Sequence, residues 1–346
     1  MGKLERIAKK LLSKTGVSDS GSGSDYFSRI GPGKNDPYRM KERLLEKYRD
    51  SDILDETEFS IIENDYGKTL HRVERINKPF KTPGTQPDDI LSDLKLIHGI
   101  GKTREQELKE EGYATVPELI DHDRWGEKAA SIVRLFREDD IQKAYGILRK
   151  WKNLSDPDLV KLAGLLEKED FAFVDIETMG LSNQPIFLLG IAQPVAAGIL
   201  VHQYLAGDLN QEMATLVQFS RKLEELGLIL TYNGMNFDIP YIERRLTYYG
   251  NRVKFSHPHL DLYLFTKRFL GEEVQNCQLN TIERSVLGIE RDFDVPSRLV
   301  PDFYKTYRES GNPGPLLPIL AHHRQDVLSL ADLFQKITEV TLDGSK

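Results

Sequence analysis

The spacing of hydrophobic positions changes near residue 170, and that change divides the chain. Before it, the helical period dominates. Leu4, Ile7, Ala8, Leu11 and Leu12 fall on one face with lysines opposite, which predicts a short basic amphipathic helix over 4–12. Such a helix either docks on the protein's own surface or meets a membrane or nucleic acid. Residues 18–25, SDSGSGSD, have the composition of a flexible linker. From 26 to 90 the chain is polar and turn-rich, with a helix candidate near 38–50 and modest strand signals at 59–62 and 69–76. Residues 89–165 read as a string of helices.

Beyond 170, β-type apolar runs occupy 171–176, 186–195 and 198–205. A helical period follows over 209–226, a fourth strand over 228–232, and then mostly helix, ending in a long segment over 316–337. This order predicts an α/β fold, a mixed sheet flanked by helices. The expected division is an N-terminal extension at 1–88 carrying the 18–25 linker, a helical module at 89–165, and the α/β domain at 170–338.

Composition narrows the function classes. Of 346 residues, 39% are hydrophobic and 29% charged, a globular profile. Lys plus Arg is 47 against 54 Asp plus Glu, a net of −7, so a uniformly basic nucleic-acid coat is excluded and any such contact comes from local patches. Cys277 is the one cysteine, which excludes an internal disulfide and a cysteine-based zinc cluster and fits a reducing compartment. No apolar run approaches the ~18 residues needed to span a bilayer. The basic N-terminus lacks the apolar stretch of a secretory signal, so a soluble cytoplasmic protein without membrane contact is expected.

Candidate chemistry begins where the 171–176 strand ends in Asp175 and Glu177. Residues i and i+2 of a strand share a face, so both carboxylates project together. Like charges this close repel unless a cation lies between them, and hard divalent ions prefer oxygen ligands. A solvated strand end would carry the same acids without function. Asp238 opens a helical pattern after the turn signal Asn233-Gly234, either as a helix-start acid or as a third member of the cluster, because its strand should lie beside that of Asp175. Asp326 follows His322 by four residues on the last helix, one turn away on the same face, as an ordinary polar face or as a metal-binding and proton-handling pair. His323 points about 100° away and is expected to be dispensable. Asn233 and Asn236 either contact a sugar or phosphate or shape the turn, and Asp261 is expected as a helix N-cap or as a residue supporting the ligands from behind rather than as a fifth ligand.

The acids in the order Asp, Glu, Asp, Asp resemble those of the DEDD 3′–5′ exonucleases of the RNase H-like superfamily. The matching motifs are DIET at 175–178, YNGMNFDIPYI at 232–242, and His322 to Asp326. The middle segment is similar to the proofreading domain of family B DNA polymerases. HPHLDLY at 257–263, CQLNTIERSVLGIER at 277–291 and the ending HHRQDVLSLADL look like the YprB-type exonuclease family. About half the chain is covered, and no polymerase palm or fingers fit in the rest.

The resemblance implies a two-metal phosphodiesterase using Mg²⁺ or Mn²⁺. Asp175 would bridge both ions, Glu177 and Asp326 would hold the one that activates water, and Asp238 would serve the second. Related enzymes carry Tyr four residues, or His five residues, before the last Asp. Here His322 stands at the tyrosine spacing and Ala321 at the other, so His322 is expected to orient or deprotonate the water. By the same resemblance Thr178 and Leu181 would line the path of the terminal nucleotide. Nucleic acid is the expected partner, DNA ahead of RNA, together with proteins of DNA repair or replication. A structure-selective endonuclease, an RNA nuclease and a non-catalytic nucleic-acid scaffold are the rival readings.

Residues 94–120 resemble a helix–hairpin–helix. Leu94 and Ile97 lead into Gly99-Ile100-Gly101, and Lys102, Thr103 and Arg104 open a helix that Gly112 closes. Gly99, Gly101, Lys102 and Arg104 either offer amides and charge to a nucleic-acid phosphate or form only a compact turn between packed helices. From Arg124 to Lys152 there are eight Lys/Arg against four Asp/Glu, whereas 170–337 has 15 against 20. The helical module is thus locally basic, and the domain carrying the acids is negative.

Overall fold

The computed structural model describes residues 36–138, 140–291 and 295–342, so the helix expected at 4–12 and the linker at 18–25 lie outside the described residues. Helix α1 (Pro37–Lys47) precedes a hairpin of β1 (Ser60–Asn64) and β2 (Gly67–Ile76). The helical module contains α2 (Pro87–Leu91), α3 (Lys102–Glu110), α4 (Gly126–Arg137), α5 (Ile141–Trp151) and α6 (Pro157–Ala163). Strands β3 (Phe171–Thr178), β4 (Ile186–Val195) and β5 (Gly198–Leu205) then run consecutively, followed by α7 (Glu212–Glu224) and β6 (Leu228–Thr231). Next come α8 (Asp238–Tyr248), β7 (His259–Asp261), α9 (Leu262–Phe269), α10 (Val300–Ser310) and the long α11 (Leu317–Leu342).

The strands form a seven-stranded sheet in the order β1-β2-β5-β4-β3-β6-β7. Pairing is antiparallel from β1 through to β3 and parallel from β3 to β6 and β6 to β7, a mixed sheet as expected. Strands β3 to β5 are buried on both faces because helices cover both sides. Alternation along β3 decides which helix each residue meets. Ala172, Val174 and Ile176 pack with α7 and α8, while Phe171 and Phe173 pack against Phe334 of α11. Asp175 and Glu177 continue the second set, so they leave the strand on the side that α11 covers.

The hairpin β1–β2 forms one edge of this sheet. Its register with β5 runs from Leu70↔Leu205 to Ile76↔Ile199. Polar residues hold it there: Glu74 is buried and accepts from Arg324 of α11 at 2.6 and 2.8 Å and from Arg72 at 2.8 Å. The helical module shares one continuous core with the sheet, in which Leu94, Trp125 and Phe136 belong with Phe171 and Phe334. Among the described residues no helix is long and apolar enough to cross a membrane.

Candidate metal centre

Asp175 faces Gly190 across the β3–β4 pair. The missing side chain at Gly190 makes room for His323, since a Cβ there would lie 2.4 Å from the imidazole Cε1. Fully buried, His323 lies 3.2 Å through Nε2 from the backbone oxygen of Asp175 and 3.8 Å from its carboxylate. The Gln203 amide donates to its Nδ1 at 3.1 Å and to Leu320 O at 2.9 Å. The ring proton therefore sits on Nε2 and is directed at Asp175. Burial lowers the His323 pKa to about 4, which keeps the ring neutral. Sequence spacing gives His323 no place at the site, whereas the structure puts its ring against Asp175. It does leave the helix about 100° from His322, and that direction points into the floor beneath Asp175.

One turn of α11 brings His322 and Asp326 together, with Nε2 3.1 Å from Oδ2. The same Nε2 is 3.9 Å from Glu177 on β3. Glu177, His322 and Asp326 present ligand atoms within 4.8 Å of one another, a group able to hold a metal ion. Asp238 begins α8, is buried, and lies close enough to Asp175 for its charge to act on that carboxyl. Burial, with a further push from the Asp261 charge, raises its pKa to about 7. Asp175 is raised well above the usual carboxylate range, first by burial and then by Asp326, Asp238 and Glu177. All four acids therefore share one electrostatic site.

The turn that delivers Asp238 is held from behind by Asp261. Its carboxylate accepts from the amides of Asn233 at 2.6 Å and Met235 at 3.2 Å, and caps α9 through Tyr263 at 3.2 Å. Asn233 adopts a left-handed φ of 63°, and its carbonyl accepts from the Asn236 amide at 3.3 Å. Both asparagines thus shape this turn at the site. Thr178 donates to Gly180 O at 2.9 Å, starting a loop on which Leu181 is 82% exposed.

Arg291 was not singled out by sequence reasoning. Its guanidinium is anchored by the buried Glu283, at 2.7 Å through Nε and 2.5 Å through Nη2. It then reaches Asp326 through Nη2 and His322 Nδ1 through Nη1, the latter at 2.6 Å. Glu283 also accepts from Ser329 of α11 at 2.5 Å. Burial works against the Arg291 charge, but Asp326 and Glu283 outweigh it and raise its pKa. No periodic spacing links Glu283 to Arg291. Their pairing follows from a π-helical turn at Glu283–Leu287, ended by Gly288 in the left-handed region at φ 66°.

One arginine and one imidazole do not balance four converging carboxylates, two of them with raised pKa values. The donor set is oxygen-rich with an adjacent nitrogen, the chemistry of Mg²⁺ or Mn²⁺ sites, so the residues fit a divalent ion. The hairpin residues are not part of this cluster. Gly99 has φ 98°, Gly101 caps α3, and Lys102 and Arg104 are exposed on the helical module, where Arg104 pairs with Glu107 at 2.5 Å.

Residues 172–338 match the RNase H superfamily. A stretch of 183 residues, 51% of this chain, is 32% identical to part of the uncharacterized protein YprB of Bacillus subtilis, covering 44% of that protein. A further similarity of 33% over 98 residues, 23% of this chain, is to DNA polymerase 1 of Aeropyrum pernix, covering 10% of it. The chain therefore spans less than half the length of either relative.

Proposed function

From the premise that residues 172–338 form an RNase H-like superfamily domain, we propose that this chain is a metal-dependent 3′–5′ exonuclease acting on nucleic acid, with DNA as the favoured substrate. One observation carries the reading: at the end of a central strand Asp175 is buried and faces three further carboxylates, Asp326, Asp238 and Glu177, and burial first and then those charges push it up. Repulsion of this kind is unfavourable in the bare protein and becomes useful once cations bind. Asp175, Glu177, Asp238 and Asp326 are the residues that would hold two divalent ions. Such ions, Mg²⁺ or Mn²⁺, supply Lewis-acid activation of water and charge stabilisation of the leaving 3′-oxygen.

The chain's own residues contribute positioning. His322 orients the attacking water, with Glu283 and Arg291 bracing the imidazole from behind. His323 holds the Asp175 backbone, and Asp261 holds the turn that precedes Asp238. Thr178, Leu181, Asn233 and Asn236 border the path of the terminal nucleotide. Gly99, Gly101, Lys102 and Arg104 contact phosphates farther along the strand.

Digestion of 5′- and 3′-labelled single- and double-stranded DNA and RNA, with Mg²⁺, Mn²⁺ or chelator, tests this. Metal-dependent release of 3′-terminal nucleotides, with DNA degraded faster, is the expected result. Internal cuts would assign an endonuclease, and binding without cleavage in any metal would assign a scaffold.

A further inference from the structure

The helical module carries an aromatic pair that the core does not use. Trp151, the last residue of α5, is 49% exposed. Its ring stacks on exposed His98, with centroids 3.8 Å apart and planes at 25°. His98 immediately precedes the Gly99-Ile100-Gly101 turn, and that turn is braced from below. A Cβ at Gly99 would lie 3.3 Å from the ring of buried Trp125. Lys128 reaches the His98 carbonyl at 3.3 Å, and both Lys128 and Arg124 lie over the Trp125 ring, at 5.2 and 4.7 Å. Arg149 and Lys150, the two residues before Trp151 on α5, are exposed.

We propose that the His98–Trp151 stack is a binding site for an unpaired nucleic-acid base, which extends the stack while the surrounding cations take the flanking phosphates. The proposal rests on the nucleic-acid reading above and deepens it by naming single-stranded substrate. Three observations support this occupant. His98 and Trp151 are stacked and both exposed, and planar aromatic rings in such a position are surfaces on which any base can stack. The cations at 124, 128, 149 and 150 match the phosphates on either side of such a base. In a duplex the base faces are already covered by their neighbours, so the stack selects an unpaired strand or a frayed end.

The sequence provides a clean probe, because it holds two tryptophans and Trp125 is buried. The experiment uses the full chain in chelator, so that binding is read without hydrolysis. Short oligothymidylate and a blunt duplex of arbitrary sequence are titrated while tryptophan emission is followed. The single strand should quench the emission of Trp125→Phe, which retains Trp151, and leave Trp151→Phe emission nearly unchanged. Anisotropy of a labelled strand should show Trp151→Ala weakened by roughly 5- to 100-fold, the value of one base–aromatic stack, and Trp151→Phe close to wild type. Wild-type affinity in Trp151→Ala with an unshifted thermal midpoint overturns the site. So does equal quenching by duplex. If 3′-labelled DNA is degraded normally by Trp151→Ala and no strand quenches Trp151, the stack fails and the exonuclease reading survives. Quenching by a chain that never cleaves is the converse, in which the site stands and the exonuclease reading fails.

Discussion

Arg291 donates through Nη1 to Nδ1 of His322 at 2.6 Å, and this contact decides which imidazole nitrogen carries the proton. A guanidinium has only donors, so Nδ1 must accept. The His322 proton therefore sits on Nε2, the atom 3.1 Å from Asp326 and 3.9 Å from Glu177. Sequence reasoning left His322 either to orient or to deprotonate water. With Arg291 in place, Nε2 is a donor, which favours orientation.

Two measurements check this role. Nitrogen NMR of the imidazole should show the Nε2–H tautomer in the intact protein and a mixture once Arg291→Gln removes the donor. Under the proposed function His322→Ala should lose roughly 10²–10³-fold in rate, the usual value of one positioned donor. His322→Gln should lose less, since a side-chain amide also donates. Equal losses in the two variants, together with an Nδ1–H tautomer, would return His322 to the role of base.

His323 should matter for stability before it matters for rate. Its neutral ring is fully buried and links Gln203 to the Asp175 backbone. His323→Ala leaves a cavity and strands those partners, so the expected loss is about 2–4 kcal/mol in the denaturant midpoint. Gly190→Ala drives a methyl against the same ring and should cost about 1–3 kcal/mol. Midpoints matching wild type in both would mean that the floor under Asp175 is not packed as described.

What the sequence revealed and what it hid follow one physical division. Strands β3 to β5 were legible because apolar runs buried on both faces need no partner to be recognised. The site acids were legible because strand and helix periods place i and i+2, or i and i+4, on one face. Asp261 was read correctly as a cap because capping is local. The place of β2 in the sheet was not legible. Its strand signal is modest because residues such as Glu74 are polar, and the partner that lets Glu74 be buried, Arg324, is far away in the chain. Arg291 escaped for a related reason, since a π-turn sets the geometry of its ion pair with Glu283.

Metal should stabilise the protein in a pH-dependent way. A carboxyl whose folded pKa is raised keeps a proton that the unfolded chain has already lost. The metal-free fold therefore loses stability as pH rises from the ordinary 3.8 through the value of about 7 at Asp238. Asp175 acts in the same direction. The thermal shift on adding Mn²⁺ or Mg²⁺ should grow across that window. Asp238→Asn should raise the metal-free stability, by at most about 4 kcal/mol at neutral pH, Asp175→Asn should act in the same direction, and each should shrink the metal-induced shift. A shift of constant size from acid to neutral pH would show that these carboxyls do not bind the ion.

Histidines in the sheet predict the opposite trend in acid, away from the metal centre. His71 of β2 lies 3.3 Å from His202 of β5, and both stack with Tyr204. Burial lowers His71 to about 4, with Lys222 adding to the effect, and burial lowers His202 well below its ordinary value. Below 6.5 the unfolded chain takes up protons that the folded strands refuse, so stability is complete above that pH and declines as pH falls toward about 4. Replacing His71 with Phe keeps the stack and removes one refused proton. Its acid limb should be shallower than wild type by about 3 kcal/mol between those pH values. His323, also lowered to about 4, should leave part of the slope in place. Denaturant midpoints measured at half-unit pH steps for the two proteins decide the matter. Superimposable acid limbs would mean that His71 titrates as freely in the fold as in the unfolded chain.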